Sequence, residues 1–426
     1  MNVRPQLITF MSLAHFFHHY MLYAFPALLL LIKEDIPLTY TEIGVLGMVP
    51  VLIMAITSPA IGWMSKKVNV GFSIVLTGIF LFALSSFFLS FANSFIELLI
   101  GNLVLGLGAC TYHPLGLGVC ANCYRGNHRG KALSVNHASG VLGTAISPVG
   151  SLAIAIFILA NWRAAFLVLS IGYAIIGLIM VVWQVFQRLV QKYTLILESY
   201  ESSPANPQSS DRLTSVNVRK TFKSWILVTV GVLLAISALR SGVYRSFSYF
   251  FPVLLNDFYG VSDFDSGLWA SLILLAGAIS DIYGAAVSDR QGPFGRLKMV
   301  ILSAIGTSLA IILIIALTIT SPEFWMILLA FGIFSIMFYL SGGTLQALMS
   351  DIVPASQRSF LYGLMFSIGP LLSSISPIIF GMLLDLFHSP VGGLYFMFAL
   401  ISFSFVVSIL FWKRLGTASR NGLLAS

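Results

Sequence analysis

His15, His18 and His19 fall within one apolar stretch near the start of the chain. Spacings of three and four residues place His18 and His19 on the helix face that carries His15, with Tyr23 a turn beyond His19. Imidazoles titrate near neutral pH, so a stripe of them at membrane depth can carry protons. Ionisable side chains there are costly and mark pathways. The alternative is a set of neutral histidines hydrogen-bonded to a neighbouring helix. No metal site is expected, because no cysteine or acid stands at matching spacing nearby.

Further along, Tyr112-His113-Pro114 and Asn136-His137 put polar groups deep in apolar segments. A His-Pro pair in hydrocarbon leaves a carbonyl and an imidazole in need of partners, which a cavity can supply. Arg240 and Arg245 share one segment. Five residues at about 100° each separate them by roughly 140° around a helix, so both cannot face one cavity squarely unless the helix breaks near Ser241-Gly242. An arginine stays charged and needs an acid, an anionic ligand, water or a helix C-terminus. Asp281 is an acid well inside a predicted span. It can serve as an arginine's partner, as a proton carrier or as a polar packing residue. Histidine and arginine outweigh this acid, which favours a substrate with negative charge or strong acceptors. A cationic substrate needs Asp281 free of arginine.

The elements that position these groups follow from composition. Apolar residues make up 58% of the 426, charged residues 9%, and mean hydropathy is +0.94. Soluble proteins carry about 25% charged residues, so the chain reads as an all-α polytopic membrane protein. Spans of about 20 apolar residues are expected at 7–32, 41–63, 71–92, 95–120, 131–158, 164–187, 224–255, 265–287, 298–320, 323–350, 358–384 and 393–413. The first is too long for the apolar core of a cleavable signal. The polar stretch 188–223 reads as a flexible linker between an N-terminal half, 1–187, and a C-terminal half, 224–426.

A net charge of +8 would suggest nucleic acid in a soluble protein. Here it reflects the positive-inside bias, and no nucleic-acid partner is expected. All 23 Lys and Arg except Lys33, Arg163, Arg240 and Arg245 fall in segments on one side. The opposite loops hold Glu34, Asp35, Asp257, Asp263 and Glu323. The expected location is the cell inner membrane, multi-pass, with both termini cytoplasmic. Cys110, Cys120 and Cys123 cluster at one helix end and make no disulfide framework.

The two halves repeat each other. The Arg129–Pro148 interval equals the Arg358–Pro377 interval, and each ends in Ile-Ser-Pro. Tyr23-Ala-Phe-Pro26 matches Tyr249-Phe-Phe-Pro252, which sets Arg245 where His19 stands. Gly342 and Gly343 occupy the place of His113 and Pro114. Repeats joined by a central linker are how many secondary transporters are built, with the substrate site near the midplane at the repeat interface.

Ala285-Ala-Val-Ser-Asp-Arg-Gln-Gly292 resembles the GxLaDRxG loop of the major facilitator superfamily, and Lys66 stands in its acidic position in the first half. Trp162-Arg163-Ala-Ala-Phe166 is similar to that family's WR-x-x-F. Within the superfamily, Ser12-Leu-Ala-His15, the Pro26 region, Leu38-Thr-Tyr-Thr-Glu-Ile-Gly44 and Tyr112-His113-Pro114 resemble the fosmidomycin-resistance exporter group. Leu115 departs from it, standing where the group carries an acid. The resemblance implies twelve transmembrane helices in two pseudo-symmetric six-helix halves. It implies a non-enzymatic, proton-coupled exporter of a small organic compound, an antiporter that needs no cofactor and works as a monomer by alternating access. A proton symporter importing an organic anion and a non-transporting sensor are the alternatives. The expected substrate or proton residues are His15, His19, His113, His137, Arg240, Arg245 and Asp281. Asp289, Arg290, Arg129 and Arg358 are expected to gate.

Overall fold

The computed structural model describes residues 3–64, 68–113, 115, 127–201, 224–289, 292–320, 323–352 and 367–420. In chain order the helices are α1 (Val3–Asp35), α2 (Tyr40–Met64), α3 (Val68–Ser90), α4 (Phe95–Ala109), α5 (Asn127–Ala153) and α6 (Trp162–Glu201). They continue with α7 (Ser224–Tyr259), α8 (Asp263–Asp289), α9 (Gly292–Thr320), α10 (Phe324–Tyr339), α11 (Gly342–Ile352), α12 (Ser376–Phe387) and α13 (Pro390–Arg420). Among the described residues, 11 spans are long and apolar enough to cross a membrane, and Phe95–Ala109 is a shorter apolar helix. Their outward faces carry exposed residues such as Leu178, Val182, Leu309, Leu329 and Leu386. A bilayer covers such a surface; water would not.

Local chemistry sets the helix ends. Thr39 and Glu42 form a reciprocal capping box, with Glu42 N donating to Thr39 Oγ1 at 3.1 Å and Thr39 N to Glu42 Oε2 at 2.8 Å. Ser94 caps α4 by accepting the Glu97 N–H, while the Glu97 carboxylate accepts the Asn93 N–H. Such boxes satisfy donors that a first turn leaves open. Pro26 and Pro252 lie inside α1 and α7, the matching positions of the repeat. The expected linker begins at 188, yet α6 stays helical through Glu201; residues 202–223 lie outside the described set.

The span expected at 323–350 is broken. Leu340 and Ser341 form a turn between α10 and α11, so the carbonyls ending one helix and the amides opening the next both face the interior.

The halves meet through α1 with α7, α2 with α12, and α5 with α8. The α2–α12 crossing depends on two glycines. A Cβ on Gly44 would sit 2.4 Å from the Pro377 carbonyl oxygen, and one on Gly381 would sit 2.1 Å from that of Tyr40. Near this crossing the ends of α1, α2, α7 and α12 are latched. Lys33 pairs with Asp257 and donates to Asn256 Oδ1 at 2.9 Å, while the Tyr40 hydroxyl reaches Asp257 Oδ2 at 3.0 Å. Asp385 accepts the Tyr40 and Thr41 backbone N–H groups at 2.9 and 2.8 Å. These contacts tie the two halves together at this end of the bundle.

Candidate functional site

A cavity of about 370 Å³ lies between the halves, lined by His15, His19, His113, His137, Arg240, Tyr244 and Asp281 among others. A second cavity of about 150 Å³ adjoins it, with Tyr23, Asn102, Arg245 and Tyr249 in its wall. His19, His113 and Tyr244 line both. The expected substrate or proton residues are thus brought together, with the two arginines in different chambers. The angular separation around α7 anticipated this.

The histidines come from α1, from the segment just past α4 and from α5. His15 and His19 are one turn apart on α1, with ring centroids 4.9 Å from each other. His113 lies just past the turn that ends α4, with its ring 5.6 Å from His15 and 5.4 Å from His19. Small residues on α5 allow the approach: a Cβ on Gly140 would sit 2.6 Å from the His15 ring. His15 stacks on Tyr112 at 4.5 Å and donates its Nδ1–H to the Asn136 carbonyl oxygen at 2.7 Å. Tyr112 in turn donates to the Met11 carbonyl at 2.9 Å and accepts from Asn136 Nδ2 at 2.6 Å. His19 Nδ1 and the Thr144 hydroxyl are 3.1 Å apart. His18, on the same face as expected, is fully buried against His113 and Phe82, and neither of its nitrogens has a hydrogen-bond partner. His137 lines the larger chamber with an exposed side chain.

Arg240 and Asp281 each bind one side of the α10–α11 break. Arg240 Nη2 donates to the Phe338 carbonyl at 2.6 Å and to Ser303 Oγ at 2.9 Å, and the guanidinium lies 4.9 Å from the Phe338 ring centroid. Its Nη1 is buried without a partner. Asp281 Oδ1 accepts the Gly343 N–H at 2.6 Å. A cation therefore sits on a helix C-terminus and an anion on a helix N-terminus, the favourable sense for both dipoles. Arg240 and Asp281 make no ion pair with each other. Of the roles open to these arginines, Arg240 takes the helix C-terminus. Arg245 Nε donates to Ser373 Oγ at 3.1 Å.

Of the expected gating residues, Arg290 and Arg358 lie outside the described residues, and so do the side chains of Asp289 and Arg129. Tyr244, Tyr339, Thr144 and Ser303 are site residues that sequence reasoning did not single out. Tyr244 precedes Arg245, and Tyr339 precedes the helix break; neither carries a motif. The ion pair that ties the two halves together near the α2–α12 crossing, Lys33 with Asp257, joins residues more than 200 positions apart in the chain and has no local signature.

A bundle of apolar helices in two halves, enclosing a polar chamber near its middle, defines a membrane transporter fold. Residues 11–341 match the family model described as Major Facilitator Superfamily, and the chain belongs to that family. A relative named "Probable 4-methylmuconolactone transporter", from Cupriavidus pinatubonensis, is 25% identical over 378 residues, 87% of this chain and 81% of the relative. The "Fosmidomycin resistance protein" of Escherichia coli is 23% identical over 287 residues, 66% of this chain and 64% of the relative. Among solved structures, a bacterial homolog to the human lysosomal transporter Spinster, in an inward-facing and occupied conformation, has a TM-score of 0.73 at 15% identity. It covers 100% of this chain and 99% of its own. The expected resemblance and fold hold, and the chain is a multi-pass membrane transporter, not an enzyme.

Proposed function

We propose that the chain exports a small organic compound, anionic or amphiphilic, in exchange for protons by alternating access of its two halves, 1–187 and 224–426. The observation that carries this reading is the central cavity, where His15, His19, His113, His137 and Arg240 face a single acid, Asp281, among the described lining residues. An arginine beside imidazoles attracts negative charge, while the histidines and Asp281 supply groups able to take up protons. The relative named for fosmidomycin resistance supports export. In this reading the protein is a monomer of the cell inner membrane with cytoplasmic termini, and Asp289, Arg290, Arg129 and Arg358 close the cytoplasmic end.

A second reading, uptake of an organic anion with protons, is favoured by the relative named for 4-methylmuconolactone. Proteoliposomes with a set proton gradient and a pH-sensitive dye separate the two, using fosmidomycin and 4-methylmuconolactone as probes. An exporter dissipates an interior-acid gradient when the probe is added outside, and a symporter accumulates the probe under an inward gradient. No probe-dependent proton movement in either arrangement, for these or a wider set of organic anions, overturns both.

A further inference from the structure

We propose that His15, His19 and His113 form a binding site for a first-row transition-metal dication of the Zn²⁺ or Co²⁺ type. Each ring offers one nitrogen as a ligand atom, and the three ligand atoms all lie within 4.8 Å of one another. Three nitrogens around one ion at about 2.1 Å each stand about 3.4 Å apart. Small rotations about the broad imidazole χ2 torsions close that difference.

The supporting contacts match those of a metal site. A ligating histidine almost always donates its other ring N–H to a carbonyl, carboxylate or water, which fixes the tautomer and aims the lone pair. His15 does this: Nδ1 donates to the Asn136 carbonyl at 2.7 Å, and Nε2 is buried without a hydrogen-bond partner. The residue is 4% exposed. His19 Nδ1 is held by Thr144, leaving Nε2 as its ligand atom. A buried lone pair with no donor is costly, and a metal ion answers it.

Imidazole donors suit Zn²⁺, Co²⁺, Ni²⁺ and Cu²⁺, and discriminate against Mg²⁺ and Ca²⁺. Three protein ligands leave a further position open toward the chamber, as in catalytic rather than structural zinc sites. All three ligands and both supporting contacts come from α1, α5 and the segment just past α4, so the ion rides with the N-terminal half whatever the other half does. Arg245 lines the smaller chamber together with His19 and His113, and its charge opposes a dication there.

The test uses full-length protein purified without a polyhistidine tag and titrated with Co²⁺. One equivalent is expected, with visible absorption of a nitrogen-ligated ion. Bound Cu²⁺ should show hyperfine coupling to three imidazole nitrogens, a readout that needs no variant. His15→Ala, His19→Ala and His113→Ala should each weaken Co²⁺ binding at least about tenfold, and Thr144→Val by about tenfold. His388→Ala, at the end of α12, should leave it unchanged. Arg245→Ala should tighten it, an outcome that binding elsewhere would not give. Absence of Co²⁺ binding, or binding indifferent to the three histidines, overturns the site. Neither outcome depends on the direction or substrate of transport.

Discussion

Asp281 accepts the backbone N–H of Gly343 at 2.6 Å, so this carboxylate rests on the opening turn of α11 and not on a guanidinium. Gly342 makes the approach possible: a Cβ there would sit 2.9 Å from Asp281 Oδ1. The broken helix thus keeps Arg240 and Asp281 in one chamber while each is held by its own side of the break.

Asp281→Asn retains an acceptor for Gly343 and removes the charge. We expect proton-driven transport to be abolished, while substrate counterflow in the absence of a gradient persists. Asp281→Ala also strands the Gly343 amide and should lower stability by about 1–3 kcal/mol, seen as a lower melting temperature. Retained pH-driven transport in the Asn variant would sink the coupling role.

The arginines should separate by what they lose. Arg240→Met removes the charged donor to the Phe338 carbonyl and to Ser303 Oγ, leaving them only hydroxyl and carbonyl partners, so it should cost about 1–3 kcal/mol of stability together with transport. Arg245 holds one serine hydroxyl, so Arg245→Met should leave the melting temperature nearly unchanged. It should weaken binding of an anionic substrate about tenfold, the effect of losing one charge-assisted contact of about 1.4 kcal/mol. Equal losses in both properties for both variants would contradict the assignment.

Gly342→Ala forces the Asp281 carboxylate or the α11 backbone to move. Transport should fall while helix content by circular dichroism stays constant. Normal transport would mean that the Asp281–Gly343 bond is incidental.

Lys33→Gln removes the ion pair that latches α1 to α7. A partly exposed pair is worth about 1 kcal/mol at most, which shifts a two-state equilibrium up to about fivefold. Alkylation of Tyr23→Cys, in the smaller chamber, by an impermeant maleimide added on the side of the Lys33–Asp257 pair should accelerate by up to that factor. An unchanged rate would remove the latch from the gating account.

Much of this site was legible in the sequence, for particular reasons. Helical periodicity put His15, His18 and His19 together, and the repeat pointed to His113 through what its counterpart lacks. The angle between Arg240 and Arg245 showed that both could not face one cavity squarely on an unbroken helix, but not which of them would line which chamber. The Gly342-Gly343 pair read only as a missing His-Pro, because its purpose is a partner 62 positions away, at Asp281. The α10–α11 break was hidden too, since no proline marks it and the hydropathy runs through unbroken. The three-histidine ligand set escaped because its spacing exists in space and not along the chain.

The paired glycines at the α2–α12 crossing bring backbone against backbone, with no side chain interposed at either contact. Two such smooth rods can roll or pivot on one another without unmeshing any knobs from sockets. At these two points a swing of one half over the other meets no interlocked side chains, and what opposes it beside the crossing is the set of polar clasps at its rim.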